Sequence, residues 1–405
     1  MQATVQAGTA PGRRFPALDG IRALAAFAVV LTHVGFITGR SLRADLLGPV
    51  LSRGDCGVTI FFLLSGFLLY RPFALYAMGL APRPLVGQFL WRRGLRIFPA
   101  LWLAVVVTLA LITTYRVRVS DYLQYLLLIQ TYDNHDYDPN LTQLWTLAVE
   151  IAFYALIPIL AALAARGRRT PEAALRRQFV MLGVLAVEAL VFNIAENHTS
   201  LIHSQALLWL PAHLDWFALG MALAVLASVP RSCQTFGSAR RVLAEWARSP
   251  GTCLLIAAVL YLISTLPLGI PRTLAPATFT QWTAEHYLYA GVAFFLLLPF
   301  VLGDGGTLGR ALGSRTANVL GNVSYSVYLW HVPLMLLLQR KLGYREFHGH
   351  FVELLVLTLV FTLAIASASW FWFERPILRY GTRPWRRAGV ELPTAEVTTA
   401  ARQSS

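Results

Sequence analysis

The chain has 405 residues, of which 56% are hydrophobic and only 13% are charged, about half the charged share of a soluble domain. Its formal net charge of +14 would suit a nucleic-acid-binding protein, but the apolar content argues against that class. The cytoplasmic loops of membrane proteins also collect Arg and Lys. Composition therefore predicts an integral membrane protein with no nucleic-acid partner, and no cysteine or histidine spacing predicts a metal site.

Ten apolar runs are long enough to cross a bilayer, since a membrane-spanning helix needs about 20 mostly apolar residues. They lie at residues 20–38, 56–76, 89–114, 143–165, 178–195, 206–229, 251–269, 286–303, 318–339 and 351–373. A shorter run at 122–130 is predicted to be interfacial or buried. The pattern predicts an all-α polytopic bundle of about ten transmembrane helices over residues 18–376. It is preceded by a cytoplasmic segment, 1–17, and followed by a cytoplasmic, largely disordered tail, 377–405.

Loop charge predicts the orientation of this bundle. Segments 166–177 and 230–249 are rich in Arg and are expected in the cytoplasm, whereas the acidic loop between the third and fourth spans is expected outside. The alternation of spans then places both termini in the cytoplasm. Arg340, Lys341 and Arg345 run against the rule, because they fall on the predicted outer side.

Two ionisable residues of the first span share one helix face. Arg22 and His33 are eleven residues apart, which puts them within roughly 20° around the helix and about 16 Å apart along it. One interpretation is an anion contact at Arg22 and proton transfer at His33, because histidine titrates near neutral pH. The alternative is an Arg that snorkels to the interface and a His that bonds a neighbouring helix.

A basic motif, Arg92-Arg93-x-x-Arg96, begins the third span. Arg93 and Arg96 are neighbours on one helix face, and the guanidinium group binds phosphate through two parallel hydrogen bonds. These arginines are candidates for holding the phosphates of a nucleotide-bearing cofactor. The alternative is a positively charged anchor at the membrane surface.

A carboxylate, Glu150, lies inside the fourth span, five residues after Trp145. A buried carboxylate needs a cationic or hydrogen-bonding partner. Glu150 could orient a substrate, pair with an arginine or polarise His33, and a purely structural pairing is the alternative.

Polar side chains in other spans are candidates for lining a substrate cavity. The ninth span carries Ser324, Tyr328 and His331, which would suit a polyhydroxylated substrate or would bond helices to one another. Ser65 lies beside Gly66 in the second span, where small residues favour close helix contact. A covalent acyl carrier at Ser65 is the less favoured interpretation. The remaining cavity candidates are Asp19, Trp145 and Asp215.

Together these segments resemble the acyltransferase-3 family of membrane acyltransferases, which O-acylate sugars and related acceptors. The matching pieces occur in family order: Leu18-Asp19-Gly20-Ile21-Arg22-Ala23 with His33, Phe61-Phe62-Leu63-Leu64-Ser65-Gly66-Phe67, Arg93-x-x-Arg96-Ile97-x-Pro99, Trp145-x-Leu147-x-x-Glu150, Ser324-Tyr325-Ser326-Val327-Tyr328-Leu329-x-His331 and Glu374-x-Pro376. The resemblance implies an acyl-CoA donor, a hydroxyl acceptor and essential roles for Arg22, His33, Arg93 and Arg96, with Glu150 following. Some relatives carry a fused hydrolase-like domain, which we do not expect here.

We therefore expect a multi-pass enzyme of the inner membrane of a bacterium. It moves a short acyl group, such as acetyl, from acyl-CoA to a hydroxyl of a carbohydrate, glycolipid or glycosylated small molecule. His33 acts as the general base, and the donor is a substrate rather than a tightly bound cofactor. The alternative class is a transporter or flippase for a sugar or lipid-linked glycan, which intramembrane Arg, Glu and His also suit. We find no internal repeat of the kind that many transporters show. The sequence leaves the oligomeric state open.

Overall fold

The computed structural model describes residues 14–133, 138–167, 170–199, 205–229, 237–270 and 277–382. Within these ranges the chain is helical and contains no β-strand, which confirms the all-α prediction. Most of the predicted segment 1–17 and tail 377–405 lies outside the described residues. So do parts of the two arginine-rich loops and of the acidic loop that were used to predict the orientation.

Fifteen α-helices occupy the described ranges. In chain order they are α1 (Ala17–Ile37), α2 (Leu47–Ser52), α3 (Cys56–Ala77), α4 (Val86–Val107), α5 (Val119–Leu127), α6 (Trp145–Ala165), α7 (Pro171–Thr199), α8 (Leu214–Ser228), α9 (Gly237–Ala247), α10 (Pro250–Ser264), α11 (Phe279–Val301), α12 (Gly306–Leu312), α13 (Arg315–Lys341), α14 (Phe351–Ala368) and α15 (Arg375–Gly381). α4 and α14 each continue into a π-helical turn, Thr108–Ile112 and Ser369–Glu374.

Eight helical stretches of the described chain are long and apolar enough to cross a membrane. A ninth span forms if α9 and α10 are taken together, although they meet at a bend of 90°. The break falls at Pro250, which begins α10. At its other end, α10 ends at Ser264, before the end of the predicted span 251–269.

The ninth predicted span, 318–339, coincides with α13, which is not among the eight stretches that are apolar enough to cross a membrane. The helix has 27 residues, about 40 Å of length. It packs along α1 and α14, and its central residues are buried. Its polar residues Ser324, Tyr328 and His331 therefore face protein rather than lipid. This explains why a helix that is long enough to span the membrane is less apolar than its neighbours.

Glycines bring α3 and α8 into close contact. A Cβ at Gly66 would lie 2.3 Å from the carbonyl oxygen of Phe217, and one at Gly220 would lie 2.0 Å from that of Leu63. Neither distance leaves room for a methyl group. The predicted close helix contact at Gly66 is therefore confirmed, and it fixes the position of α3 in the bundle.

The loop between α1 and α2 is ordered by one carboxylate. Asp45 accepts hydrogen bonds from the side chain of Arg40 at 2.9 Å and from the backbone amides of Leu47 and Gly48 at 3.1 and 2.8 Å. These contacts, the bond from Arg40 foremost, lower the pKa of Asp45 to about 2. The start of α2 is thus held by an ionised side chain on the predicted outer side of the bundle.

Candidate active site

A cavity of about 100 Å³ lies among α1, α3, α4, α6 and α13. Its polar lining consists of Arg22, Ser65, Arg93, Arg96, Thr146, Glu150, Tyr154, Ser324, Tyr325 and Tyr328. Its apolar wall includes Phe61 and Phe62 of α3. Seven of the residues singled out from the sequence meet here, although they come from five helices that are far apart along the chain.

Three guanidinium groups converge on this cavity. Arg22 is held by Asp19, whose Oδ1 lies 3.0 Å from its Nη1, and Asp19 also accepts a bond from the amide of Asn318 at 3.0 Å. Arg93 and Arg96 come from successive turns of α4. Within the described residues, no hydrogen bond or ion pair occupies the guanidinium group of either one. Both groups are therefore available to an anionic ligand.

Glu150 is the carboxylate of the cavity. Its Oε1 accepts hydrogen bonds from Ser65 Oγ at 2.7 Å and from the hydroxyl of Tyr154 at 2.6 Å. The charges of Arg22 and Arg93 act on Glu150 across the cavity. One such carboxylate against three arginines leaves the cavity with an excess of positive charge.

A π-helical turn supports the same cavity from behind. Glu374, at the end of this turn, is buried and accepts hydrogen bonds from the hydroxyl groups of Ser326 and Ser369. In the same turn, the ring of Trp370 lies 5.9 Å from the guanidinium carbon of Arg96. The turn therefore places an aromatic face and a carboxylate on the side of α4 that carries Arg96.

Aromatic side chains close the cavity toward its predicted outer end. The hydroxyl of Tyr328 is 2.9 Å from Thr146 Oγ1, which fixes its ring. The ring of Phe61 meets that of Tyr328 edge-on, with centroids 5.8 Å apart. On its far side, Tyr328 lies 5.5 Å from the ring of His331. Phe61 and Tyr328 thus separate the arginine-lined space from the histidines.

His33 lies beyond this aromatic pair and does not line the cavity. It is four residues from the end of α1, about 6 Å along the axis, and it is partly exposed. Its Nδ1 is 2.9 Å from the carbonyl oxygen of Val29. A carbonyl oxygen can only accept, so Nδ1 carries the hydrogen and Nε2 is the basic nitrogen of the neutral ring.

His331 stands next to His33, with ring centroids 5.0 Å apart. Like His33, His331 does not line the arginine-lined cavity. The sequence predicted that Arg22, His33 and His331 belong to one site. The structure instead separates an arginine end from a histidine end, because the eleven residues between Arg22 and His33 place them about 16 Å apart along α1.

Four further predicted residues lie outside the cavity. Asp19 is turned to Arg22, and Arg92 is not part of the lining. Asp215 pairs with His286 of α11, Oδ2 to Nε2 at 2.7 Å. Trp145 packs on the ring of His213, because five residues separate it from Glu150 and turn it about 140° away around α6.

Sequence reasoning did not single out Tyr154 and Tyr325 as site residues. Tyr154 follows Glu150 by four positions, the spacing at which side chains on a helix meet. That spacing was therefore a usable signal. Tyr325 donates to the carbonyl oxygen of Ile97 at 2.9 Å, a contact between distant helices that no local pattern reveals.

Comparison with known proteins places the chain in a family. A family model described as an acyltransferase domain matches residues 15–373. The chain is 24% identical over 391 residues, 90% of this chain and 56% of the relative, to the peptidoglycan O-acetyltransferase OatA of Listeria monocytogenes. It is 22% identical over 393 residues, 91% of this chain and 58% of the relative, to the O-acetyltransferase OatA of Staphylococcus aureus.

A shorter match, 30% identical over 174 residues, covers 37% of this chain and 45% of nodulation protein 10 of Rhizobium leguminosarum. The chain spans about half the length of the curated relatives it matches. No solved structure gives a significant match. Because the family model covers nearly the whole described chain, the protein belongs to the acyltransferase-3 family that its motifs indicated.

Proposed function

We propose that the protein is a membrane-bound O-acyltransferase that moves a short acyl group, acetyl first among them, from acyl-CoA to a hydroxyl group of a carbohydrate, glycolipid or glycosylated small molecule. The cavity with three guanidinium groups carries this proposal, because it suits a phosphate-bearing donor in a chain of this family. Relatives named as peptidoglycan O-acetyltransferases support a glycan acceptor.

The donor binds from the predicted cytoplasmic end. Arg93 lies seven residues after the start of α4, about 10 Å along the helix. Arg93 and Arg96 hold the phosphates of the donor, since guanidinium groups without protein partners bind phosphate through parallel, charge-assisted hydrogen bonds. Arg22 extends this positive surface toward the middle of the bundle, and Glu150 limits its net charge.

The acyl group must then reach the histidine end. The rings of Phe61 and Tyr328 meet between the two ends, so they part to let the thioester pass toward His33. The acceptor hydroxyl approaches Nε2 of His33, which is directed away from the bond that Nδ1 makes with Val29.

Transfer proceeds directly between the two substrates. Nε2 of His33 takes the proton of the acceptor hydroxyl as its oxygen attacks the thioester carbonyl carbon. The new C–O bond forms, the C–S bond breaks, and the leaving thiolate takes the proton back from the imidazolium. The products are an O-acyl ester and free CoA, and His33 returns to its neutral form.

The test uses the purified full-length chain in lipid nanodiscs, acetyl-CoA labelled in the acetyl group, and peptidoglycan fragments, glycolipids and glycosylated small molecules as acceptors. We expect His33→Ala to lower transfer by about 10²–10⁴-fold, the usual contribution of a general base. Arg93→Ala should raise the KM for acetyl-CoA. Matched controls are His348→Ala and Arg315→Ala, which alter exposed residues outside the cavity.

The outcomes separate the alternatives. Full transfer by both His33→Ala and Arg93→Ala, at normal expression, would overturn this mechanism. Label that stays on the protein would indicate a covalent acyl-enzyme. Movement of a sugar across the membrane of a proteoliposome without ester formation would indicate a transporter.

A further inference from the structure

The imidazole rings of His33 and His331 meet at the histidine end of the bundle. His33 Nδ1 lies 3.4 Å from His331 Nε2. We propose that His331 is a positioning residue: its Nε2 shares the single Nδ1–H of His33 with the carbonyl oxygen of Val29, in a three-centre hydrogen bond, and so holds Nε2 of His33 toward the acceptor. The inference rests on the proposed function, in which that Nε2 takes the proton of the acceptor hydroxyl.

The tautomers of both rings follow from their backbone contacts. His331 Nδ1 is 2.7 Å from the carbonyl oxygen of Tyr328, so this nitrogen donates and Nε2 carries the lone pair. His33 Nδ1, at 2.9 Å from the carbonyl oxygen of Val29, carries a hydrogen for the same reason. The one hydrogen on His33 Nδ1 therefore has two acceptors, the carbonyl oxygen of Val29 at 2.9 Å and Nε2 of His331 at 3.4 Å. The opposite tautomer of either ring would set a lone pair against a carbonyl oxygen.

His331 is well placed to hold another residue, because its own position is fixed. It is fully buried. The amide of Gln143 donates to the carbonyl oxygen of Leu329 at 2.9 Å, and the hydroxyl of Tyr328 meets Thr146 at 2.9 Å, so this stretch of α13 is bonded to the start of α6. His33, in contrast, is partly exposed and gains most from a fixed partner.

Within the described residues, no carboxylate lies within ion-pair distance of His33. In a Ser-His-Asp site, a buried carboxylate bonds Nδ1–H, keeps the correct tautomer and stabilises the imidazolium. Here the carbonyl oxygen of Val29 and the lone pair of His331 Nε2 share that place. When His33 becomes charged, its Nδ1–H becomes a stronger donor, and hydrogen bonds to charged groups are the stronger ones. The contact therefore stabilises the reacting state more than the resting state.

Two substitutions of His331 separate this role from packing. In His331→Gln the side-chain amide reaches the position of Nε2 and offers an oxygen to Nδ1–H of His33. In His331→Asn the amide reaches only the position of Nδ1, so the bond to Tyr328 is kept, and His33 loses its side-chain acceptor and retains only the carbonyl oxygen of Val29. The two variants differ in the bond under test, but asparagine is also one methylene smaller than glutamine, so the unfolding temperature must show how much of any loss is due to packing.

The measurements are kcat and the KM for acetyl-CoA, with the unfolding temperature as a check on folding. We expect His331→Asn to lower kcat by about 10- to 100-fold, the range for a hydrogen bond to a charged group, with the donor KM unchanged. His331→Gln should stay within a few-fold of the unaltered protein. In a His33→Ala background, neither substitution should lower transfer further, because residues that act through one another are not additive.

Equal losses for the two variants, or additive losses in the His33→Ala background, would assign His331 to packing and overturn the proposal. Nitrogen-15 NMR of labelled histidine provides a second measurement that needs no variant. A protonated Nε2 on His33 at neutral pH would also overturn it. These outcomes differ from failure of the proposed function, which would show as an unaltered protein that forms no ester or as a fully active His33→Ala.

Discussion

Gly321→Ala is expected to weaken both the stability of the bundle and acyl transfer, because Gly321 is where α13 touches the backbone of α1. A Cβ at this position would lie 2.4 Å from the carbonyl oxygen of Asp19, whereas Cβ atoms essentially never come closer than 3.0 Å to such a neighbour. The difference between these distances means that α1 and α13 must separate by about 0.6 Å. Neither atom belongs to a flexible side chain that could turn aside.

The magnitude follows from two opposing terms. Overpacking of this kind lowers the free energy of unfolding by about 1–3 kcal/mol. Replacing a helical glycine by alanine raises it by up to about 1 kcal/mol. A net loss of about 1–2 kcal/mol is expected. Arg22 and Ser324 lie one turn from the contact and line the cavity. Because a misplacement of about 1 Å can cost up to about 10²-fold in rate, we expect kcat to fall by about 10-fold.

The assay combines thermal unfolding in detergent with transfer from labelled acetyl-CoA. Gly183→Ala is the matched control, because a Cβ at that exposed helical glycine of α7 meets nothing within 4 Å. The control should be unchanged or slightly more stable. A Gly321→Ala protein with unaltered unfolding temperature and kcat would show that α1 and α13 are not held at this contact.

Three further predictions concern single contacts. Arg96→Ala should raise the KM for acetyl-CoA by about 10-fold or more, as expected for loss of a bond to a charged phosphate, while the exposed control Arg315→Ala should leave it unchanged. Ser65→Ala and Tyr154→Phe should each lower kcat, and the double variant should lose less than the product of the two, since both bond one carboxylate oxygen. Complete loss in Ser65→Ala alone would instead indicate an acyl carrier. Because the pKa of Asp45 is lowered to about 2, the stability that its ionised form gives to the start of α2 is present above about pH 4 and is lost as pH falls toward 2. Amide exchange at that helix, corrected for the intrinsic pH dependence, should show this, and loss of protection near pH 5 would contradict it.

Much of the fold could be predicted because a membrane constrains sequence strongly. Spanning helices must be long and apolar, and the predicted segments coincide with helices throughout the described chain. The prediction was least accurate near residues 251–269: α10 ends at Ser264, and α9, which lies in a segment predicted to be a cytoplasmic loop, meets it at a bend of 90°. Apolar runs give the composition of a span, but they do not show whether its two halves are collinear.

The site was predictable where its residues lie on one helix and not where they meet across helices. The spacing of Arg93 and Arg96 placed both on one face of α4, and both line the cavity. Trp145 and Glu150 were grouped by motif, yet helical geometry turns them to different sides of α6. Asp215 is hydrogen-bonded to His286, which lies 71 residues further along the chain. Such pairing depends on how α8 and α11 pack, which no local pattern specifies.

The length of the donor follows from the straightness of α1. Arg22 and His33 are carried by one helix without proline, so their separation of about 16 Å along the axis is stiff. In the proposed mechanism, the donor places phosphate near Arg22, Arg93 and Arg96 while its thioester reaches His33. Acetyl phosphate joins its acyl group directly to phosphate and meets only one of these requirements. We therefore expect acetyl phosphate to inhibit transfer from acetyl-CoA competitively and to give no ester itself, as measured with labelled acetyl phosphate and the same acceptor. Ester formation from acetyl phosphate at a rate near that from acetyl-CoA would mean that the arginine and histidine ends do not act on one extended donor.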